Sequence, residues 1–244
     1  NAFVGTMWLQ YTLSNDGTYY IVSDIGKATD TEIIIPPEVN GLPVTTISDF
    51  AFYGCGSLES ITIPDSVTSI GDYVFSYCKS LESIVVESGN TVYHSSGNCI
   101  IETATKTLVV GCKTSEIPND GSVTSIGSSA FEECNSLTTI TIPNGVTSIG
   151  KEAFRGCDSL TSITIGDSVT SIGDYAFYGC DSLESITIPD SVTSIGEKAF
   201  SGCSYITMAT MPAIAIEYIP QYRLQTVVIT SGDSIGSRAF QDCD

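Results

Sequence analysis

SVTSIGDYAFYGCDSLESITIPD, residues 168–190, is nearly a template for the rest of the chain. Its A-F-x-x-C phrase returns with cysteines at Cys55 and Cys78 and again at Cys134, Cys157, Cys180 and Cys203, the members of each run 23 residues apart. A fixed short period is the signature of a solenoid. A unit of this length cannot bury its own apolar face. Successive copies must therefore stack along one shared core, and function then belongs to a long surface rather than a pocket.

Within one turn, LESITIP at residues 183–189 alternates Ile186 and Ile188 with Ser185 and Thr187, which reads as a short strand with an apolar inner face and a hydroxyl outer face. Pro189 ends it. Residues 192–196, VTSIG, form a second extended piece, with Gly196 read as permitting a tight bend. Ala199, Phe200 and Cys203 fit one helical turn whose Phe and Cys point inward together. Each repeat is thus strand, bend and short helical turn, an α/β repeat solenoid. The same strand is expected at residues 60–63, 83–86, 139–142, 162–165 and 226–229, with weaker copies at 32–35, 114–117 and 208–211. Nine parallel strands would make a sheet roughly 40 Å long.

The 244 residues carry 9 Lys and Arg against 28 Asp and Glu, a net charge of −19 that repels phosphate backbones and anionic headgroups alike. Nucleic acid is not an expected partner. No stretch approaches the roughly 20 apolar residues of a membrane-spanning helix. The sequence begins at Asn1 without Met or a signal segment and ends at Asp244, one residue past Cys243. That reads as a fragment or processed form, with an export signal, an anchor or further domains outside it.

Seven of the nine cysteines share the repeat phase: Cys55, Cys78, Cys134, Cys157, Cys180, Cys203 and Cys243. They are expected to be buried free thiols acting as small hydrophobes, because stacked side chains project in one direction and do not converge as a disulfide requires. Cys99 and Cys112 break the phase and are the one plausible disulfide pair.

Departures from the template carry as much information as the copies. Between residues 87 and 118 two apolar runs, 99–101 and 108–110, flank a polar turn, which reads as a β-hairpin inserted into the array. Residues 213–223 lack the Ala-Phe-Cys phrase and read as an irregular turn. Near the start, YTLS and YYIV alternate around Asp16-Gly17, a hairpin signal. Residues 1–43 are accordingly an N-terminal hairpin cap and first strand, and residues 44–244 the array.

L-x-x-I-x-I-P at residues 58–64, 137–143 and 183–189 resembles the BspA-like, treponemal-type leucine-rich-repeat family. The same holds for the I-G-x-x-A-F type phrase at 70–75, 126–131, 149–154, 172–177 and 195–200. The resemblance covers most of residues 32–244. It implies a right-handed, curved leucine-rich-repeat superhelix with the S-I-T-I strands on a concave parallel sheet and short helical or 3-10 turns on the other side. It also implies exported proteins of host-associated bacteria or some protists, where adhesion to host matrix or to other cells is the usual role. It brings no catalytic motif.

Two candidate surfaces follow. The outward strand positions form a hydroxyl ladder of Ser60, Thr62, Ser83, Thr139, Thr141, Ser162, Thr164, Ser185 and Thr187, suited to hydrogen-bonding an extended partner. Thr and Ser also simply suit exposed strand positions. Tyr53, Tyr73, Tyr77, Tyr175 and Tyr178 gather around the helical turn and could anchor a protein partner or pack between turns. Acidic residues recur at Glu59, Glu82, Glu184, Asp65, Asp167 and Asp190, but no calcium-loop signature accompanies them, so they read as a solvated edge. His94 is the only histidine and has no spaced acid or nucleophile, and no C-x-x-C spacing supports zinc.

The expected function is a non-enzymatic, cofactor-free, metal-free binding module, secreted or at the cell surface. It would be monomeric and engage a protein or glycan ligand such as host extracellular matrix. A structural spacer displaying other domains and a cytoplasmic scaffold are the alternatives, the latter suggested by so many unpaired cysteines.

Overall fold

The structure, a computed structural model, describes residues 9–26, 29–232 and 234. It is a β-solenoid in which each regular turn contributes one S-x-T-x strand and one two-residue S-I strand, and among the described residues helix is confined to the 3-10 segment Ala213–Tyr218. The alternation read in the sequence is realised: Thr139–Ile142 and Ser162–Ile165 each show exposed, buried, exposed, buried. Successive turns pair in parallel and in register, Thr139 with Ser162 and Ile140 with Ile163. On the second ladder Ser148 pairs with Ser171, and Ser171 with Ser194.

The A-F-x-x-C segment takes the form of linked tight turns. In residues 173–180 alternate N–H groups bond within the turn, Ala176 to Gly173 C=O, Tyr178 to Tyr175 and Cys180 to Phe177. The intervening N–H groups of Tyr175, Phe177 and Gly179 cross to the carbonyls of Glu197, Ala199 and Ser201 in the following turn. Two residues per turn sit in the left-handed region, here Tyr175 (φ 56°) and Gly179 (φ 73°), which prevents a continuous helix. The glycine of S-I-G has a different job from the bend expected of Gly196. Gly150, Gly173 and Gly196 are not left-handed; a Cβ on Gly173 would lie 2.6 Å from the Gly150 carbonyl carbon and the Lys151 nitrogen. Glycine is needed there because the preceding turn's backbone occupies the side-chain position.

Stacked phenylalanines form the spine. Phe131, Phe154, Phe177 and Phe200 stack nearly parallel at 4.9, 5.2 and 5.1 Å, all essentially buried, and Phe52 and Phe75 form a separate pair at 5.5 Å. Offset stacking adds about 0.5–1.5 kcal/mol per pair beyond the area buried. The repeated cysteine completes the layer. Cys78, Cys157, Cys180 and Cys203 donate their S–H to the carbonyls of Phe52, Phe131, Phe154 and Phe177 in the turn before, at 3.1–3.2 Å. Those four are buried and Cys55 and Cys134 are half-buried; Cys243 lies outside the described residues.

The N-terminal hairpin is present, Gln10–Leu13 antiparallel to Tyr20–Asp24, and the latter opens the array by pairing in parallel with Leu42–Ile47. The insert is a three-stranded antiparallel unit, Tyr93–Ser96, Cys99–Glu102 and Thr107–Val110; its first strand had no sequence signal. Its last strand rejoins the S-I ladder at Ser125–Ile126. Cys99 and Cys112 are free thiols, not a disulfide: Cys99 Sγ donates to Gly97 C=O, and Cys112 lies against Thr114 and Ser115 hydroxyls.

The expected nine-strand sheet is interrupted. Its strands fall into three hydrogen-bonded groups: Glu32–Ile34 with Ser60–Ile63 and Ser83–Val86; Thr139–Ile142 with Ser162–Ile165; and Ser185–Thr187 with Met208–Met211 and Thr226–Ile229. Residues 114–117 form no strand. Ser115 occupies the inner position where other copies place Ile, and its hydroxyl accepts from Cys112 N–H and donates to Asn98 C=O, while Glu116 N–H bonds Gly97 C=O. The segment's polar groups are thereby committed to the hairpin turn. The core divides at the same place into one cluster spanning Leu9 to Cys112 and another spanning Cys99 to Ile219.

Candidate binding surface

The hydroxyl ladder lies on one face as its alternation requires. Thr139, Thr141, Ser162, Thr164 and Thr187 are exposed, and Ser60, Thr62, Ser83 and Ser185 are half-buried. The face is not uniformly polar, because Val85, Met208 and Val228 occupy the same outward row at 45%, 53% and 48% exposure. Two acidic rows border it. Glu59, Glu82 and Glu184 precede the strands and Asp65, Glu87, Asp167 and Asp190 follow them, all exposed.

Where the sheet is interrupted the face deepens into a groove of about 780 Å³. One wall is residues 113–119. The other is Thr138 to Asn144 with Thr164 to Asp167 behind it. The first wall is tied to the preceding turn: Lys113 pairs with Glu82 at 2.9 Å, Thr114 Oγ1 donates to Glu82 C=O, and Ser115 and Glu116 hold the hairpin turn. A Cβ on Gly97, itself left-handed at φ 58°, would meet the Glu116 carbonyl oxygen, so the hairpin and wall pack backbone on backbone. The groove is therefore preformed. Neither Glu116 nor Asp167 is in a salt bridge.

The tyrosines divide into two groups on the turn side. Tyr53 and Tyr77 pack edge to face at 5.3 Å, and Tyr73 stacks on Phe50 at 4.9 Å. Phe50 is 53% exposed and left-handed at φ 59°; sequence reasoning followed only the tyrosines and missed it, although it holds the same repeat position as Tyr73 and Tyr175. Tyr175 and Tyr178 pack at 5.7 Å, with Lys198 over Tyr175 and Arg155 over Tyr178 at 5.6 and 6.0 Å from the ring centroids. Tyr73 bridges the groups by donating its hydroxyl to Glu152 across the insert, 3.0 Å, and a shallow bowl of about 560 Å³ lies between them.

Beneath this side Glu132 is buried, ion-paired through Oε1 to Arg155, with Oε2 unpartnered. Burial raises its pKa, and does the same for Glu133 and Asp158. Among the described residues no three His, Cys, Asp or Glu side chains are arranged to hold a metal, and no helix is long and apolar enough to cross a membrane.

A parallel β-solenoid with a hydroxyl strand face and a stacked Phe-Cys core defines the leucine-rich-repeat class. The model of the BspA type leucine rich repeat region matches residues 31–121 and 124–244 in six copies, and the chain belongs to that family. No curated protein matches it. Among solved structures it is similar to a leucine rich cell surface protein from Faecalibacterium prausnitzii A2-165, at 19% identity and a TM-score of 0.56, over 97% of this chain and 95% of that one. It is also similar to the pneumococcal vaccine antigen PcpA, at 22% identity and a TM-score of 0.62, over 86% of this chain and 58% of that one. At such identities the likeness is one of fold.

Proposed function

We propose that the chain is a non-enzymatic, secreted or cell-surface adhesion module of a host-associated bacterium, which binds a protein or glycan ligand on its strand face. The observation that carries this reading is the groove, because it joins the hydroxyls of Thr139, Thr141 and Thr164 to a rigid wall supplied by the insert. In repeat proteins, insertions on one face commonly mark the binding face. Family membership and the fold shared with a cell surface protein support export and an interaction role. The tyrosine side is a secondary contact surface.

The test is a binding screen of the purified chain against extracellular-matrix proteins, mucins and glycans, with Thr164→Lys and Thr187→Lys as reporters. Both side chains are exposed, so the melting transition should not move while a saturable interaction weakens. Binding unchanged in both variants rules out the strand face. No saturable partner for folded protein points to a spacer.

A further inference from the structure

The interruption leaves a strand edge open inside the groove. In intact stretches of the sheet, the main-chain groups of the outward residues face the preceding turn: Thr62 C=O accepts from Ile35 N–H, and Thr210 C=O accepts from Ile188 N–H. The inward residues face the following turn, as Ile63 C=O does in accepting from Glu87 N–H. In Thr139–Ile142 the outward residues are Thr139 and Thr141, so their N–H and C=O groups face residues 113–119. That strand pairs only with Ser162–Ile165, and no backbone bond joins it to 113–119. Four backbone groups in a row are thus unpaired and exposed to the groove. The other interruption is of a different kind: Ser162–Ile165 and Ser185–Thr187 remain neighbours, linked by Glu184 N–H to Thr161 C=O.

An open edge is a template for another strand, and proteins normally blunt such edges with Lys, Pro or a cover. Here the strand reads Thr-Ile-Thr-Ile, without charge or proline, and the wall that would have covered it is held back by its own bonds to the hairpin. The flanking charges select the occupant. Lys113, the cation lining the groove, is paired with Glu82, which leaves Glu116 and Asp167 as unpaired carboxylates there, and Glu87, Glu184 and Asp190 are exposed along the same rims in a chain of net charge −19. They attract a cation and repel an acidic segment.

We infer that the groove captures an extended polypeptide segment carrying Lys or Arg, which adds a strand to the open edge of Thr139–Ile142 and places its basic side chains on the acidic rims. Main-chain hydrogen bonds supply affinity in this mode and the flanking side chains supply selection. This inference rests on the strand-face reading above and narrows its ligand to an extended basic polypeptide.

The probe is a fluorescent seven-residue peptide, KTVTVTK, titrated by anisotropy against the full chain. Two analogues carry N-methyl groups on alternate residues, one set on each edge of the strand. One analogue should lose about tenfold or more in affinity and the other should bind as the parent does, since only one edge faces the protein. Raising salt should weaken the parent, and ETVTVTE should not bind. Thr141→Pro removes one N–H from the open edge while leaving the ladder to Ser162–Ile165 intact, a placement that edge strands tolerate. It should melt like the native chain and lose about tenfold in peptide affinity, whereas Thr141→Val keeps the N–H and should bind normally. Equal loss in the two methylated analogues, loss in Thr141→Val matching that in Thr141→Pro, or no saturable binding up to about 1 mM would overturn strand capture. A screened ligand that is lost in Thr164→Lys but indifferent to Thr141→Pro would uphold the strand-face reading and still overturn this inference.

Discussion

Replacing Gly173 by alanine separates two reasons for which a repeat keeps a glycine. The added Cβ would sit 2.6 Å from backbone atoms of Gly150 and Lys151, whereas ordinary contact begins at 3.4 Å, so the turns must part locally by about 0.8 Å. Overpacking of this kind costs about 1–3 kcal/mol. Weakening the Gly173 N–H to Ile149 C=O bond, 2.8 Å in the native chain, adds about 1 kcal/mol. Loss of glycine's freedom in the unfolded chain returns about 0.4–1 kcal/mol. The net expectation is a loss of about 2–3 kcal/mol. Gly179→Ala is the control for backbone strain alone: φ is +73° and the nearest atoms are 4.0 Å away, so about 1–2 kcal/mol of left-handed strain is offset by the same unfolded-state gain. Gly145→Ala, with its nearest contact at 3.5 Å and no positive φ, should be neutral or slightly stabilising. At about 2–4 °C per kcal/mol for a chain of this size, Gly173→Ala should lower Tm by roughly 8 °C and Gly179→Ala by roughly 3 °C. Urea titration followed by circular dichroism gives the same order from midpoints. If Gly173→Ala is as stable as Gly179→Ala, close approach of the turns is not what holds glycine in S-I-G.

Phe154→Ala removes a fully buried ring stacked on both sides and should cost about 3–5 kcal/mol by denaturant titration; a loss under about 1 kcal/mol would mean the spine does not hold the turns together. Glu132, its pKa raised by burial, holds its proton more tightly folded than unfolded. Its unfavourable contribution is therefore fully present above the folded pKa and fades as pH falls through it toward the unfolded value near about 4.3. The Tm of Glu132→Gln relative to the native chain should rise from about pH 4 to pH 7, and a flat difference would refute the assignment. Burial pushes the Cys99 thiol up to about 12 and raises the Cys157 thiol well above its ordinary value, so a thiol reagent at about pH 8 should label neither in the native chain and both in urea without reductant. Failure to label Cys99 and Cys112 after unfolding would establish the disulfide that the structure lacks.

What the sequence disclosed and what it withheld have physical causes. Strand positions such as Ser60–Ile63 and Thr226–Ile229 were legible to the residue, because a period of two within a period of 23 leaves one register that buries the isoleucines. The N-terminal hairpin was legible from Asp16-Gly17, and the second hairpin from its two apolar runs. Tyr93–Ser96 was not, since Tyr-His-Ser-Ser carries no apolar alternation and is ordered by pairing with Cys99–Glu102. The strand expected at 114–117 failed on one residue, the inward Ser115. The groove arose from that failure, so the hydroxyls of Thr139, Thr141 and Thr164 were foreseen as a row while the wall facing them was not. Gly196 was placed correctly for the wrong reason, because a sequence shows a glycine but not the backbone that passes beside it.

The break at the insert has a consequence for how such an array changes length. The strand ladders, phenylalanine stack and core lapse between Phe75 and Phe131, where Tyr77 N–H still bonds Glu133 C=O, Gly111 of the insert lies against Phe131 and a cavity of about 40 Å³ remains. Register is handed from turn to turn by direct stacking, so it is not transmitted unaltered through this joint. Each segment keeps its own phase, and whole turns can be gained or lost on one side without retuning the other. The hairpin thus separates two blocks of stacked turns, and the groove lies at their seam.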